Sequence, residues 1–297
     1  MRIGRTAFAL GIIGLSTALG LAALIAERNY HASRSLFEPE PAALLQQHAQ
    51  DTGIPDLQEV SFGAGGRLAG WYVPSRNRAA IVVAHGTNDD RASMLAELRL
   101  LSAAGFGVLA FDWPGLGRSQ GEIRWDAGAQ RALAAAYDWL AARSDVDPDR
   151  LGGLGFSMGG VMLARFAATD ARVKALVLEG TPPSYEAYIR CHNHRWGRLS
   201  EWPARWAVRH SDLLNPALAP AALIGAFAPR PLLIIGGSAD REVPEALVRE
   251  LYAAAHKPKA LWIVPGAGHV HYSSMVPEEY AQRLRQFYAS LATHNAS

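Results

Sequence analysis

Along most of this 297-residue chain, short apolar runs alternate with stretches of helical periodicity. Residues 57–62 and 68–73 read as an opening pair of strands around Gly65-Gly66. Residues 79–84 (AAIVVA) form a wholly apolar, β-branched run, the mark of a strand buried on both faces. A helical stretch follows over 91–104, with Leu95, Leu98 and Leu101 in step. The unit then recurs: strand 107–111, helix 127–142, strand 150–156, helix 158–168, strand 173–178. After an excursion over residues 181–230 come strand 231–235, helix 245–255, strand 260–264 and a last helix 278–291. Strands separated by helices predict right-handed crossovers and one α/β domain over 56–297, with a mostly parallel eight-stranded sheet and helices on both faces.

The first part of the chain has a different pattern. Residues 7–26 carry no charge, and 20 residues at about 1.5 Å each make a helix of about 30 Å, the thickness of a bilayer's hydrocarbon core. This predicts a transmembrane anchor in residues 1–27. Arg2 and Arg5 precede the run, and Glu27 and Arg28 follow it, so the positive-inside bias holds the N-terminus in the cytoplasm and places the folded body in the periplasm or outside the cell. A cleaved signal followed by secretion is the competing reading, but Leu24-Ile25-Ala26 lacks a small-x-small end, and Ala18-Leu19-Gly20 sits inside the run. A buried N-terminal helix is the third reading. Residues 28–55, with Glu38-Pro39-Glu40-Pro41, predict a spacer and one short helix.

Composition narrows the function classes. Lys plus Arg is 29 against 27 for Asp plus Glu, and the two extra cations are Arg2 and Arg5, so no basic nucleic-acid surface is indicated. Cys191 is the only cysteine, which excludes an intramolecular disulfide and a Cys-based zinc site. Half the chain is hydrophobic (49%), enough for a large core.

In parallel sheets, chemistry collects at the carboxyl ends of the strands. The strand ending at Phe156 runs into Gly155-Phe156-Ser157-Met158-Gly159 and then a helix, a G-x-S-x-G motif in its strand-turn-helix context. Small residues let the chain turn sharply and leave the Ser157 hydroxyl at a helix N-terminus, where unpaired amides favour developing negative charge. Serine needs a base, and the base an orienting carboxylate. Asp240 follows one later strand and His269 the next, so Ser157, Asp240 and His269 stand in the order of a nucleophile-acid-base triad. Asp212 is the alternative acid and His271 the alternative base. The oxyanion hole is expected from the amides of Met158 and Thr87, with Asn88 as the alternative to Thr87.

These pieces, VVAHG (82–86), FDWPGLGRS (111–119), GFSMGG (155–160), IIGGSADREVP (234–244) and GAGH (266–269), resemble the α/β-hydrolase superfamily over residues 56–294. Within it the chain looks most like membrane-anchored bacterial hydrolases related to acylglycerol lipases. The resemblance implies the α/β-hydrolase fold with a short helical lid over 181–230, and a serine hydrolase that cleaves carboxylic esters through an acyl-enzyme without metal or organic cofactor. Activity should then fall on acidification, because a protonated imidazole cannot act as base. Thioester or amide cleavage by the same residues is the alternative chemistry, and a silent, membrane-tethered binding module the alternative class.

The remaining candidates are supporting ones. His85 is placed to pin the oxyanion loop, and Trp113 to shape the mouth of the site. Tyr185, Tyr188, Trp196, Trp202 and Trp206 in the excursion either pack it onto the sheet or form an aromatic wall for an apolar, lipid-like ester. Cys191, His192 and His194 read as a solvated loop rather than a metal site.

Overall fold

A strand apolar on both faces must be covered on both, and the eight strands meet this demand as the central layer of a three-layer domain. The computed structural model describes residues 3–34, 52–193 and 198–292. In chain order its main elements are α1 (Ile3–Arg34), β1 (Gln58–Phe62), β2 (Leu68–Val73), β3 (Ala80–Ala84), α2 (Leu95–Ala103), β4 (Gly107–Phe111), α3 (Ala127–Ala141) and β5 (Leu151–Phe156). They continue with α4 (Met158–Thr169), β6 (Val173–Glu179), α5 (Tyr185–Asn193), α6 (Trp202–Ala207), α7 (Pro220–Leu223), β7 (Leu232–Gly237), α8 (Glu245–Ala254), β8 (Lys259–Val264), α9 (Tyr272–Met275) and α10 (Pro277–Ala292). The sheet order is β1-β2-β4-β3-β5-β6-β7-β8. β2 runs antiparallel to β1 and β4, and all later pairings are parallel.

The strand β3 shows why its run is wholly apolar. Val82 and Ala84 face the layer built by α3, α4 and α8, while Ile81 and Val83 face the layer of α2 and α10. Helix α3 starts at Asp126, whose side chain accepts the Gly128 amide, and buries Ala129, Ala132, Leu133, Ala136, Tyr137 and Leu140 at helical spacing. Helix α4, behind the G-x-S-x-G turn, is buried nearly all round because the excursion covers its outer side. Arg165 on α4 donates to the carbonyls of Leu218 (2.6 Å) and Asp212 (3.3 Å), and Arg230 donates to those of Ala167, Asp170 and Val173. The excursion is thus stitched to the sheet layer at its far end.

The N-terminal expectation needs correction. Residues 7–26 lie in a helix, but that helix runs on to Arg34, and among the described residues no helix is long and apolar enough to cross a membrane. Past residue 26 the helix carries polar groups that find partners in the protein: Asn29 Nδ2 donates to the Ser200 carbonyl (2.9 Å), and Asn29 and Ser33 are buried against the excursion. Residues 35–51, where much of the spacer and its short helix are expected, lie outside the described residues.

Candidate active site

The turn after β5 is held by close backbone approach. A Cβ on Gly155 would come within 2.7 Å of the Gly160 backbone, and one on Gly159 would run into the carbonyls of Ala84 and His85. Ser157 itself takes φ 49°, ψ −115°, a left-handed conformation disfavoured for residues other than glycine. It persists because its N–H donates to the Glu179 carbonyl on β6 (2.8 Å) and its carbonyl accepts the Val161 amide (3.0 Å). The side chain is thereby presented at the N-terminus of α4.

The loops after β7 and β8 are stitched together. Ser238 N–H donates to the Val264 carbonyl (3.0 Å), Ala239 N–H to the Ala267 carbonyl (2.9 Å) and Gly266 N–H to Ser238 Oγ (2.8 Å). This brings Asp240 and His269 together. The buried Asp240 carboxylate accepts His269 Nδ1–H at Oδ2 (2.8 Å), and its Oδ1 takes the amides of Glu242 and Val243, each at 2.8 Å. In a neutral imidazole whose Nδ1 carries the proton, the lone pair is on Nε2. Asp212 instead lies in a 3-10 turn whose carbonyl serves Arg165. His271, at φ 55°, caps α9 with its ring edge against Phe156.

Ser157 and His269 open into one cavity of about 220 Å³, lined also by Thr87, Met158, Val161, Pro182, Tyr185, Tyr188, Glu242 and Val243. Thr87 and Met158 are thus on the same cavity as the serine. Behind Thr87, His85 is fully buried, and burial lowers it to about 4, so the ring is neutral. Its Nδ1–H donates to the Gly86 carbonyl (2.9 Å), and Nε2 accepts the Trp113 amide (3.4 Å). Trp113 is fully buried and does not line the cavity; its indole N–H donates to the His85 carbonyl (3.0 Å). It holds the Thr87 loop and cannot reach a substrate. Asp112, paired with the buried Arg91 and taking amides from Arg91 and Arg118, fastens the same loop from the other side.

The excursion's aromatic residues divide. Tyr185 and Tyr188 stack (centroids 5.4 Å apart) and wall the cavity. The hydroxyl of Tyr188 donates to Glu242 Oε2 (3.1 Å), and His192 Nε2 lies 2.7 Å from the Glu242 carbonyl, so α5 is fastened to the loop carrying Asp240. Trp202 and Trp206 stack on each other but are 60% and 46% exposed and do not line the cavity. A shared helical face predicts their contact, not which side of the excursion it faces. Trp196 and His194 lie outside the described residues. Cys191 is exposed, and among the described residues no group of three or more His, Cys, Asp or Glu could hold a metal. The sequence pattern did not single out Glu242, two residues past Asp240 and without a motif of its own.

A family model for the alpha/beta hydrolase fold matches residues 79–211. The uncharacterized Mycobacterium tuberculosis protein Rv2307c is 34% identical over 209 residues, 69% of each chain. Among solved structures, the Pyrococcus furiosus esterase Pf2001 superposes with TM-score 0.69 at 22% identity, covering 85% of this chain and 98% of the esterase. A Paleococcus ferrophilus monoacylglycerol lipase superposes with TM-score 0.58 at 20% identity, over 77% of this chain and 99% of the lipase. With the sheet order, the matched residues and the Rv2307c relationship in agreement, the chain belongs to the α/β hydrolase family.

Proposed function

We propose that the protein is a serine hydrolase that cleaves small carboxylic esters, with Ser157 as nucleophile, His269 as general base and Asp240 as the acid that orients it. The observation that carries this is the His269–Asp240 hydrogen bond, which orients the ring of His269 on the cavity that also holds Ser157 at its strained turn. Ser157 Oγ attacks the acyl carbonyl while His269 takes its proton, and Asp240 stabilises the imidazolium. The amides of Met158 and Thr87 face the oxygen that becomes negative. Collapse of the tetrahedral intermediate breaks the ester C–O bond, and His269 returns the proton to the leaving alcohol. Water then enters by the same steps and releases the acid.

The cavity argues for size. About 220 Å³ falls below the roughly 300 Å³ at which pockets for drug-sized ligands begin, so a short acyl group is the better fit with α5 in place. Esterase and monoacylglycerol lipase neighbours support ester chemistry at the level of the fold. For residues 7–26 we propose contact with a membrane surface in place of a span, with the exposed Leu19 and Leu24 as the apolar contact; sedimentation of the full chain with membranes tests it, and recovery only in the soluble fraction overturns it.

Labelling by a fluorophosphonate probe tests the chemistry directly. Wild type should label, while Ser157→Ala should lose the adduct and His269→Ala should slow it at least a hundredfold. Labelling that survives Ser157→Ala would place the nucleophile elsewhere.

A further inference from the structure

Two fully buried carboxyl groups lie beneath the His269 loop and take no part in the chemistry above. Glu179 closes β6 and Glu97 lies on α2, both with no exposed surface. Tyr280 on α10 donates to Glu179 Oε1 (2.5 Å). Glu179 Oε2 and both Glu97 oxygens have no hydrogen-bond partner among the described residues. The groups facing the pair are Tyr280 and Tyr288 of α10 and Tyr272 and Ser273 of α9, and Asp240 also acts on Tyr272. None is a cation. Two neighbouring buried anions with no compensating charge are unstable, so the pair retains a proton at neutral pH. Burial pushes Glu97 up to about 7, and burial together with the charge of Glu97 pushes Glu179 well above the carboxylate range.

These residues also hold the reactive ones. The carbonyl of Glu179 accepts the Ser157 amide (2.8 Å). Gly180 follows, and a Cβ there would come within 2.9 Å of both His269 Cε1 and Val270 Cγ1, so the end of β6 is packed against the imidazole loop. Val270 and His271 stand at φ 49° and 55°, which residues with side chains adopt only when their surroundings impose it. The next residue, Tyr272, is fully buried and begins α9, which packs on α10. Of the two tyrosines that anchor this strained loop, Tyr280 bonds to Glu179, while the Tyr272 hydroxyl is buried near the same carboxyl without a hydrogen-bond partner among the described residues.

We propose that Glu97 and Glu179 are positioning residues for the hydrolase reaction: a proton-sharing carboxyl pair that seats Tyr280, and through α10 and the α9 packed on it the loop carrying His269. The proposal rests on His269 being the general base. With a proton in the pair, at most one negative charge is buried there, and Glu179 accepts from Tyr280. Once the proton is lost, two negative charges oppose each other against the tyrosine hydroxyls, and α9 and the His269 loop lose their seat. The pair titrates as a unit, so turnover gains an alkaline limb that belongs to neither Ser157 nor His269.

The test is the pH dependence of kcat and KM on a soluble short-chain ester in wild type, Glu97→Gln and Glu179→Gln. Glutamine is neutral at every pH and still donates a hydrogen bond. Wild-type kcat should fall about tenfold or more between neutrality and about pH 10, with KM within about threefold. Glu97→Gln should keep at least about a third of the neutral kcat and shift the alkaline limb upward by about one pH unit or more. A wild-type kcat flat to about pH 10, or an alkaline limb unmoved in both variants, overturns the proposal. A second arm needs no turnover. In a Ser157→Ala background the folded pair holds protons that the unfolded chain releases above its ordinary value of 4.5. The urea midpoint should therefore fall as pH rises from about 5 to 8, and fall less with Glu97→Gln. Equal pH dependence with and without Glu97→Gln overturns the shared proton, whichever residue proves to be the nucleophile. Absent probe labelling would instead identify a failure of the hydrolase reading.

Discussion

His85 shows how one buried side chain sets the loop that carries Thr87. It is neutral because burial disfavours the imidazolium, and its two nitrogens are committed to the Gly86 carbonyl and the Trp113 amide. The sign of its pH effect follows. The unfolded chain takes up a proton near 6.5 and the folded one only near 4, so the contribution is complete above about 6.5 and is lost as pH falls toward 4. The displacement corresponds to about 3 kcal/mol. Urea unfolding of wild type beside His85→Gln should show the wild-type advantage shrinking by that order between pH 6.5 and 4; an advantage constant across the window would mean that the folded ring takes up its proton at the same pH as the unfolded one. The sequence pointed to the His85 role, since its place after a buried strand and before Thr87 left it little else to hold. Trp113 was misread for a physical reason: aromatic residues at strand ends serve substrates and loops alike, and only the 3.0 Å bond to the His85 carbonyl tells which.

At the scale of elements, what was legible follows from what each element must bury. Strands covered on both faces can only be apolar runs, and α3 can only be periodic, so both were visible. The glycine turn was visible because backbone crowding admits nothing larger at Gly155 and Gly159. The interior of the excursion was not, because its order comes from charge pairing between short pieces with no period. Arg205 on α6 makes two 2.6 Å bonds to Glu186 on α5 and one of 2.9 Å to Glu201, whose side chain is 3% exposed. This link holds α5, and with it Tyr185 and Tyr188, over the cavity. Arg205→Met keeps much of the bulk and removes the charge that faces Glu201. With Arg205 itself 28% exposed, we expect a cost of about 1–3 kcal/mol, less than for a fully buried pair. Hydrogen exchange should quicken in α5 and α6, and KM for a short ester should rise about threefold to tenfold with kcat within about twofold. A fall in kcat at constant KM would show that the link acts on Ser157, His269 and Asp240 and not on the wall.

At the scale of the whole molecule, α1 is the element whose role the chain pattern leaves open. An uncharged run of 20 residues satisfies a lipid and a protein groove by the same apolar contacts, so periodicity could not separate them. At the end of the run the structure shows the second kind of contact, while Leu19 and Leu24 stay exposed. Leu21, Ala22, Ile25 and Ala26 line a crevice of about 390 Å³ against Leu199 and Pro203, and Asn29 bonds to Ser200. Farther along, Ser33 is a hydrogen-bonding neighbour of Tyr185, and Tyr185 is a wall of the active-site cavity. A physical path therefore runs from α1 through the excursion to the cavity, while the core clusters around the sheet take in residues of the excursion but no described residue of α1. Deleting residues 1–34 should leave that core folded, seen as an unchanged cooperative unfolding transition of the sheet domain. It should also free Tyr185 and relax the size limit, so that the ratio of kcat/KM for an eight-carbon over a two-carbon acyl ester rises by about threefold or more. An unchanged ratio would mean that α5 alone sets the cavity. A lost transition would mean that α1 belongs to the core, and that the polar contacts of Asn29 and Ser33 matter more to the fold than to the choice of ester.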